Sequence, residues 1–182
     1  DKYKIPSKVF KNIAKYAPEY ELVIYDDTEC IDFLKSIYGH LAKKIWVSVK
    51  KPAHRADFWR YNILYQYGGL YMDIKTQLIK PLDEIIIDNS IMYTVQTDNT
   101  KIYNGFIYSP SQNPVLKKLI NHFLKHYKYI TNYHIFCKYY GNVIKKLTNQ
   151  SYLQNKLYKI SNYPDIYLFD EIITKNIKEC PD

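Results

Sequence analysis

His54-Arg55-Ala56-Asp57-Phe58-Trp59-Arg60-Tyr61 leads through Gly68-Gly69 into Leu70-Tyr71-Met72-Asp73-Ile74-Lys75. After Pro52, apolar residues at Ala56, Trp59, Ile63 and Tyr67 predict a helix over about 53–67 with those four on its core face. Gly68-Gly69 supplies a left-handed stop. Leu70–Ile74 then predicts a strand. Asp57 and Arg60 are three apart and share a helix face, distinct from the one carrying Trp59 and Ile63. Alternation along the strand sends Leu70, Met72 and Ile74 one way and Tyr71, Asp73 and Lys75 the other. Asp73 falls near the carboxyl end of the strand, the edge where open α/β sheets bind ligands.

Outward from this stretch the pattern continues as helices and short strands. Pro6-Ser7 opens a helix over about 7–16, closed by Pro18. Glu21–Tyr25 predicts a buried strand stopped by Asp26-Asp27. Thr28 caps a helix over about 29–37 that ends near Gly39. Pro81 and Asp83 mark a turn or short helix. Residues 91–95 and 106–108 read as strands, Pro114 opens a helix over about 114–127, and helical patches from about 132 precede a last strand at Tyr167-Leu168-Phe169. This alternation predicts a single α/β domain over 1–182 with a mainly parallel sheet flanked by helices.

The composition fits a folded domain. The chain has 182 residues, 47% apolar, 16% aromatic and 24% charged, enough to bury a core. The net charge of +8 attracts phosphate, whether on nucleic acid, lipid or nucleotide-sugar. It comes as scattered pairs such as Lys43-Lys44 and Lys117-Lys118, the pattern of a solvated basic surface, with no Arg-rich arm. Cys30, Cys137 and Cys180 lie far apart without a Cys-x-x-Cys, which argues against a zinc site or disulfide framework and for a reducing, cytoplasmic setting. Asn149-Gln150-Ser151 is a sequon of the kind common by chance. No apolar run approaches the ~20 residues of a membrane span. Nucleophile elbows and Walker loops are absent.

The chemistry suited to Asp57, Arg60 and Asp73 is that of a diphosphate-linked substrate. A carboxylate at a strand end holds a hard cation, a cation stabilises a diphosphate leaving group, and an Arg grips phosphate or hydroxyls with a planar fork. The plain structural alternative is an exposed helix pair and an acidic strand end.

The string from Ala53 through Asp73 resembles the signature of glycosyltransferase family 32, the DXD-containing enzymes related to the initiating α-1,6-mannosyltransferases. Ala53, Ala56-Asp57, Arg60, Leu64, Gly68-Gly69, Tyr71 and Asp73 match its spacing. Weaker similarity reaches Glu19–Asp27 on one side and Asn104–Ser109 with Asn113-Pro114 on the other. The resemblance implies a GT-A fold, a UDP- or GDP-sugar donor, Mn²⁺ or Mg²⁺, a glycan or protein acceptor, and retention at the anomeric carbon. By position it makes Asp57, Arg60 and Asp73 catalytic, has Asp57, Arg60, Tyr71, Lys75 and Asn104 bind substrate, and gives the metal to Asp73.

Two departures stand out. Lys75 occupies the place of the second DXD acid, where a cation repels a metal or supplies part of its charge; metal independence, weak metal binding and loss of activity are all compatible with it. The family's first strand has no counterpart after Asp1. A degenerate member that binds sugar or a partner without transfer is therefore the alternative function, and a basic nucleic-acid-binding protein a further one. His122 and His126, four apart on a helix, read as exposed histidines rather than metal ligands. Asp83-Glu84 reads as an acidic first helical turn. Asp170-Glu171 resembles the late acidic spot of some family members.

Overall fold

The computed structural model describes residues 4–97, 100–130, 132–151 and 153–171; Cys180 lies outside them. Among these residues seven α-helices form: α1 (Ser7–Tyr16), α2 (Asp27–Tyr38), α3 (His40–Ser48), α4 (Pro52–Tyr67), α5 (Leu82–Ile85), α6 (Pro114–His126) and α7 (Ile135–Thr148). Five strands accompany them: β1 (Gly69–Met72), β2 (Met92–Gln96), β3 (Ile102–Ser109), β4 (Lys156–Tyr158) and β5 (Ile166–Asp170). α7 falls within the helical patches expected from about 132, whereas 40–48 and 156–158 carry no defined element in the sequence pattern and form α3 and β4.

The strands form one sheet in the order β1-β3-β2-β5-β4. The α/β class holds, but the parallel majority does not: β1–β3, β2–β3 and β4–β5 are antiparallel, and β2–β5 is parallel. The reason is connection length. Residues 97–101 join β2 to β3 too briefly for a crossover, so β3 must return antiparallel, and it inserts between β1 and β2. The strands β1, β2 and β5 nonetheless run in one direction, so their carboxyl ends lie along one rim of the sheet.

The Glu21–Tyr25 run is not a strand. Leu22 is 45% and Val23 56% exposed, and the segment has no regular secondary structure and no ladder neighbour among the described residues. An apolar β-former becomes a strand only where another strand supplies hydrogen bonds. The cap of α2 also sits two residues earlier than Thr28. Asp26 accepts from Glu29 N at 3.0 Å, and the Glu29 carboxylate accepts from Asp26 N at 2.8 Å, a reciprocal capping box that satisfies two orphan donors.

Apolar clusters cover both faces of the sheet. On one, Met92, Ile107, Ile166 and Leu168 meet Phe58, Tyr61 and Leu64 of α4, Leu116 and Phe123 of α6 and Tyr140 of α7. On the other, Tyr93 and Phe106 pack with Leu78, Leu82 and Ile86, and Leu70 and Met72 join them. Tyr71 belongs to the first cluster, so the alternation expected along β1 is present. Asn12 ties α1 to this second layer with its amide, donating to Leu78 O at 2.8 Å and accepting from Leu78 N at 2.9 Å.

The central helix departs most from expectation. α4 packs between α6 and the strands β1 and β3, and buries His54, Asp57, Phe58, Trp59, Arg60, Tyr61, Asn62 and Leu64. Asp57, Arg60 and Asn62 therefore do not face solvent. Tyr67, expected in the core, is 67% exposed because the helix ends as it leaves the sheet; Ala56 and Ile63 are half-buried.

Candidate functional site

The site grows from the α4–β1 junction. Pro52 starts α4 and Gly68, at φ 70°, ends it. The turn is so close that a Cβ on Gly68 would stand 2.7 Å from Ser111 N and 2.9 Å from Ser109 O. This reversal lays β1 beside the helix it follows, and brings Asp73 back to the level of Asp57 and Arg60.

Arg60 is the hub. Its Nη1 lies 3.4 Å from Asp73 Oδ1 and its Nε 3.6 Å from Asp57 Oδ1. It donates to the Ala56 carbonyl at 3.1 Å and to the Asn104 carbonyl. Its guanidinium carbon stands 4.3 Å from the centroid of the Tyr71 ring, a cation–π contact. The Tyr71 hydroxyl donates to Asp73 Oδ1 at 2.6 Å, and Asn104 Nδ2 donates to Asp57 Oδ1 at 3.0 Å. The five residues expected at the site from the chain between 57 and 104, Lys75 apart, thus form one connected network.

Burial sets the electrostatics. It pushes the Asp57 carboxyl above its ordinary value, against the opposing pull of Arg60, Asn104 and His54. Burial disfavours the Arg60 charge, but Tyr71, Asp57 and Asp73 more than offset it and keep the guanidinium protonated. The Tyr71 phenol is raised, first by burial and then by Asp73, so it remains a donor to that carboxylate.

A cleft of about 990 Å³ opens beside this network, and Trp59, Tyr71, Asp73 and Lys75 line it, facing Leu22 to Tyr25. Asp57 and Arg60, 7% and 4% exposed, stand behind its wall, as does Asn104 at 4%. The Asp73 side chain is 34% exposed and, with Tyr71 and Lys75, is what the network presents. Trp59, read in sequence as core, is at the wall as well: its ring lies 4.8 Å from Tyr25 and 6.1 Å from Tyr71. Its Nε1 and Asn104 Oδ1 are buried without a hydrogen-bond partner. The signal for Trp59 was its place between Asp57 and Arg60, which helical spacing alone assigned to packing.

The turn after β1 is pinned. Asp73 N donates to Gly105 O at 2.8 Å, and Thr76 N donates to Asp73 O at 2.9 Å. Thr76 Oγ1 donates to the same Gly105 carbonyl at 3.1 Å. Further along the rim, Gln96 Nε2 donates to Asp170 Oδ1, and Glu171 N donates to Gln96 O at 3.0 Å. Burial chiefly raises the Tyr103 phenol, and both Asp73 and Glu171 add to that rise, so the late acids share the rim with the β1 end.

Asp83 and Glu84 occupy the first turn of α5 as expected, and Asp83 accepts from the Tyr20 hydroxyl at 2.7 Å. His122 and His126 are half-buried rather than exposed. The His122 ring stacks on Tyr139 at 3.4 Å between centroids, and His126 Nδ1 is 2.9 Å from His122 O.

The carboxylates fit a divalent cation poorly. A hard cation takes about six or more oxygens. Asp57 is buried and held by Asn104 and Arg60, Asp73 Oδ1 is engaged by Tyr71 and Arg60, and position 75 is an ammonium. Among the described residues, no three His, Cys, Asp or Glu side chains gather in a metal-holding group. No helix among them is long and apolar enough to cross a membrane.

Residues 6–92 match the family described as glycosyltransferase sugar-binding region containing DXD motif. The initiation-specific alpha-1,6-mannosyltransferase of Saccharomyces cerevisiae is 36% identical over 70 residues, 37% of this chain and 15% of that protein. The protein of the same description from Candida albicans is 31% identical over 97 residues, 52% of this chain and 25% of its own. A mannosyl phosphorylinositol ceramide synthase of S. cerevisiae is 31% identical over 111 residues, 61% of this chain and 28% of its own. The matched stretch thus spans between 15% and 28% of the length of these relatives. No solved structure matches the chain significantly. The mixed five-stranded sheet with helices against it is consistent with a GT-A-like arrangement.

Proposed function

We propose that this chain, whose residues 6–92 match the glycosyltransferase sugar-binding region containing DXD motif, transfers a hexose from a UDP- or GDP-sugar to a glycan or other acceptor. Mannose is the favoured sugar, because the relatives are described as mannosyltransferases. The described residues act as one catalytic domain, since β1 and β5, far apart in the chain, share a single sheet.

One observation carries the reading. The residues that match the family spacing are the ones the fold joins: Asp57, Arg60, Tyr71 and Asp73, with Asn104, form a continuous network ending at a cleft. In this reading Asp73 contacts the donor. Arg60 and Asp57 hold it and balance its charge from behind, and Asn104 braces Asp57. Trp59 and Tyr71 offer aromatic surface to a sugar or base, which stack readily on such rings. Reaction with retention at the anomeric carbon follows from the family resemblance and is part of the proposal.

The test is Asp73→Asn, assayed for transfer and for hydrolysis of UDP- and GDP-hexoses. Loss of an electrostatic contact at the reacting centre lowers turnover about 100-fold or more, and the partly exposed side chain leaves folding intact. Unchanged turnover in Asp73→Asn would refute the assignment. A second reading, donor binding without transfer, is favoured by Lys75 in the second acid position; binding of the donor with no turnover across an acceptor screen would decide for it.

A further inference from the structure

We propose that Lys75 stands in for the divalent cation at this site, its ammonium neutralising the diphosphate of the donor so that nucleotide binding proceeds without metal. The inference rests on the donor reading above. It starts from placement. Lys75 is exposed and lines the same cleft as Tyr71 and Asp73. The turn that carries it is fixed to β3 through the Gly105 carbonyl, which accepts from Asp73 N at 2.8 Å and from Thr76 Oγ1 at 3.1 Å. The residue therefore sits where the second acid of a DXD pair would stand.

Charge decides what that substitution does. Asp57, Arg60, Asp73 and Lys75 together balance to neutrality when all are ionised. An aspartate at 75 would leave the site doubly negative, the deficit that one divalent cation fills. With Lys75 the site already has the balance of a metal-loaded one. The carboxylates agree: Asp57 is buried and bonded to Asn104, and Asp73 Oδ1 is engaged by the Tyr71 hydroxyl and Arg60, leaving few oxygens for a hard cation. A lysine ammonium is a compact point charge with three donors, suited to phosphate oxygens. Lys8 of α1 lines a neighbouring recess together with Lys75, so the local field at this corner favours an anion.

The experiment is calorimetric titration of the whole protein with UDP and with GDP, in EDTA and in Mn²⁺, for the wild type, Lys75→Ala and Lys75→Asp. Wild-type affinity is expected to be the same in both media. Lys75→Ala should lose about 10-fold or more, the scale of a charged hydrogen bond, and Mn²⁺ should not restore it. Lys75→Asp should bind weakly in EDTA and recover in Mn²⁺. Residue 75 is exposed, so circular dichroism of both variants should match the wild type. Wild-type binding that requires Mn²⁺, or Lys75→Ala binding like the wild type, overturns the proposal while leaving the donor reading intact. Binding of neither nucleotide in either medium overturns the donor reading, and this proposal with it.

Discussion

The guanidinium of Arg60 of α4 lies over the ring of Tyr71 of β1, carbon to centroid 4.3 Å, and both reach the same Asp73 oxygen. Lysine cannot reproduce this. Its point charge cannot span Asp57, Asp73 and the Asn104 carbonyl at once. Arg60→Lys is expected to destabilise the fold by about 3 kcal/mol, the scale of a broken buried pair, as read from urea unfolding. It should also lower donor turnover with Asp73 unchanged.

Asp57 gives the fold a pH signature. Burial raises its carboxyl above the ordinary value of 3.8, so the folded chain holds the proton to higher pH than the unfolded one. The stability it contributes is therefore fully present below 3.8 and is lost as pH rises through the folded value. Asp57→Asn lacks this term. As pH rises above 3.8, in urea unfolding, the wild type should lose stability relative to Asp57→Asn.

Gly68 and Gly69 should respond differently to alanine. Both have positive φ, 70° and 92°. A Cβ at Gly68 meets backbone at 2.7 Å, whereas one at Gly69 meets nothing within 4 Å. Gly69→Ala carries only the cost of the left-handed backbone, about 1–2 kcal/mol. Gly68→Ala adds a clash with atoms that cannot rotate away, and should show the larger fall in Tm and disturb the approach of β1 to α4.

His122 should titrate far below an ordinary histidine. Burial, then His126 and Lys125, lower it from 6.5 to about 4. The stability tied to its neutral form is present above 6.5 and is lost as pH falls through about 4. An NMR titration of the ring protons should place its midpoint near 4, and a midpoint near 6.5 would mean that the stack on Tyr139 does not hold in solution.

The sequence made α4, β1 and the pairing of Asp57 with Arg60 legible because periodicity, Pro52 and Gly68 all point the same way. It did not show that this helix is buried on its polar side. Asp57, Arg60 and Asn62 look like a solvent face until β1, β3 and Asn104, from far along the chain, are laid against them. The direction of β3 was hidden for a similar reason: strand patterns carry no sign, and only the short 97–101 connection reveals the hairpin. Leu22 and Val23 show the converse, a local preference for strand with no neighbour among the described residues to realise it. Asn104 entered through family resemblance; its bonds to Asp57 and Arg60 are tertiary and leave no periodic trace.

The single carbonyl of Gly105 fastens both ends of the Asp73–Thr76 turn. Residue 75 is carried on that mount between two positions held to β3, and Asp73 beside it is held by Tyr71 and Arg60. Under the proposal for Lys75, dependence on an ion drawn from the surroundings is a property decided at one position of a pinned turn.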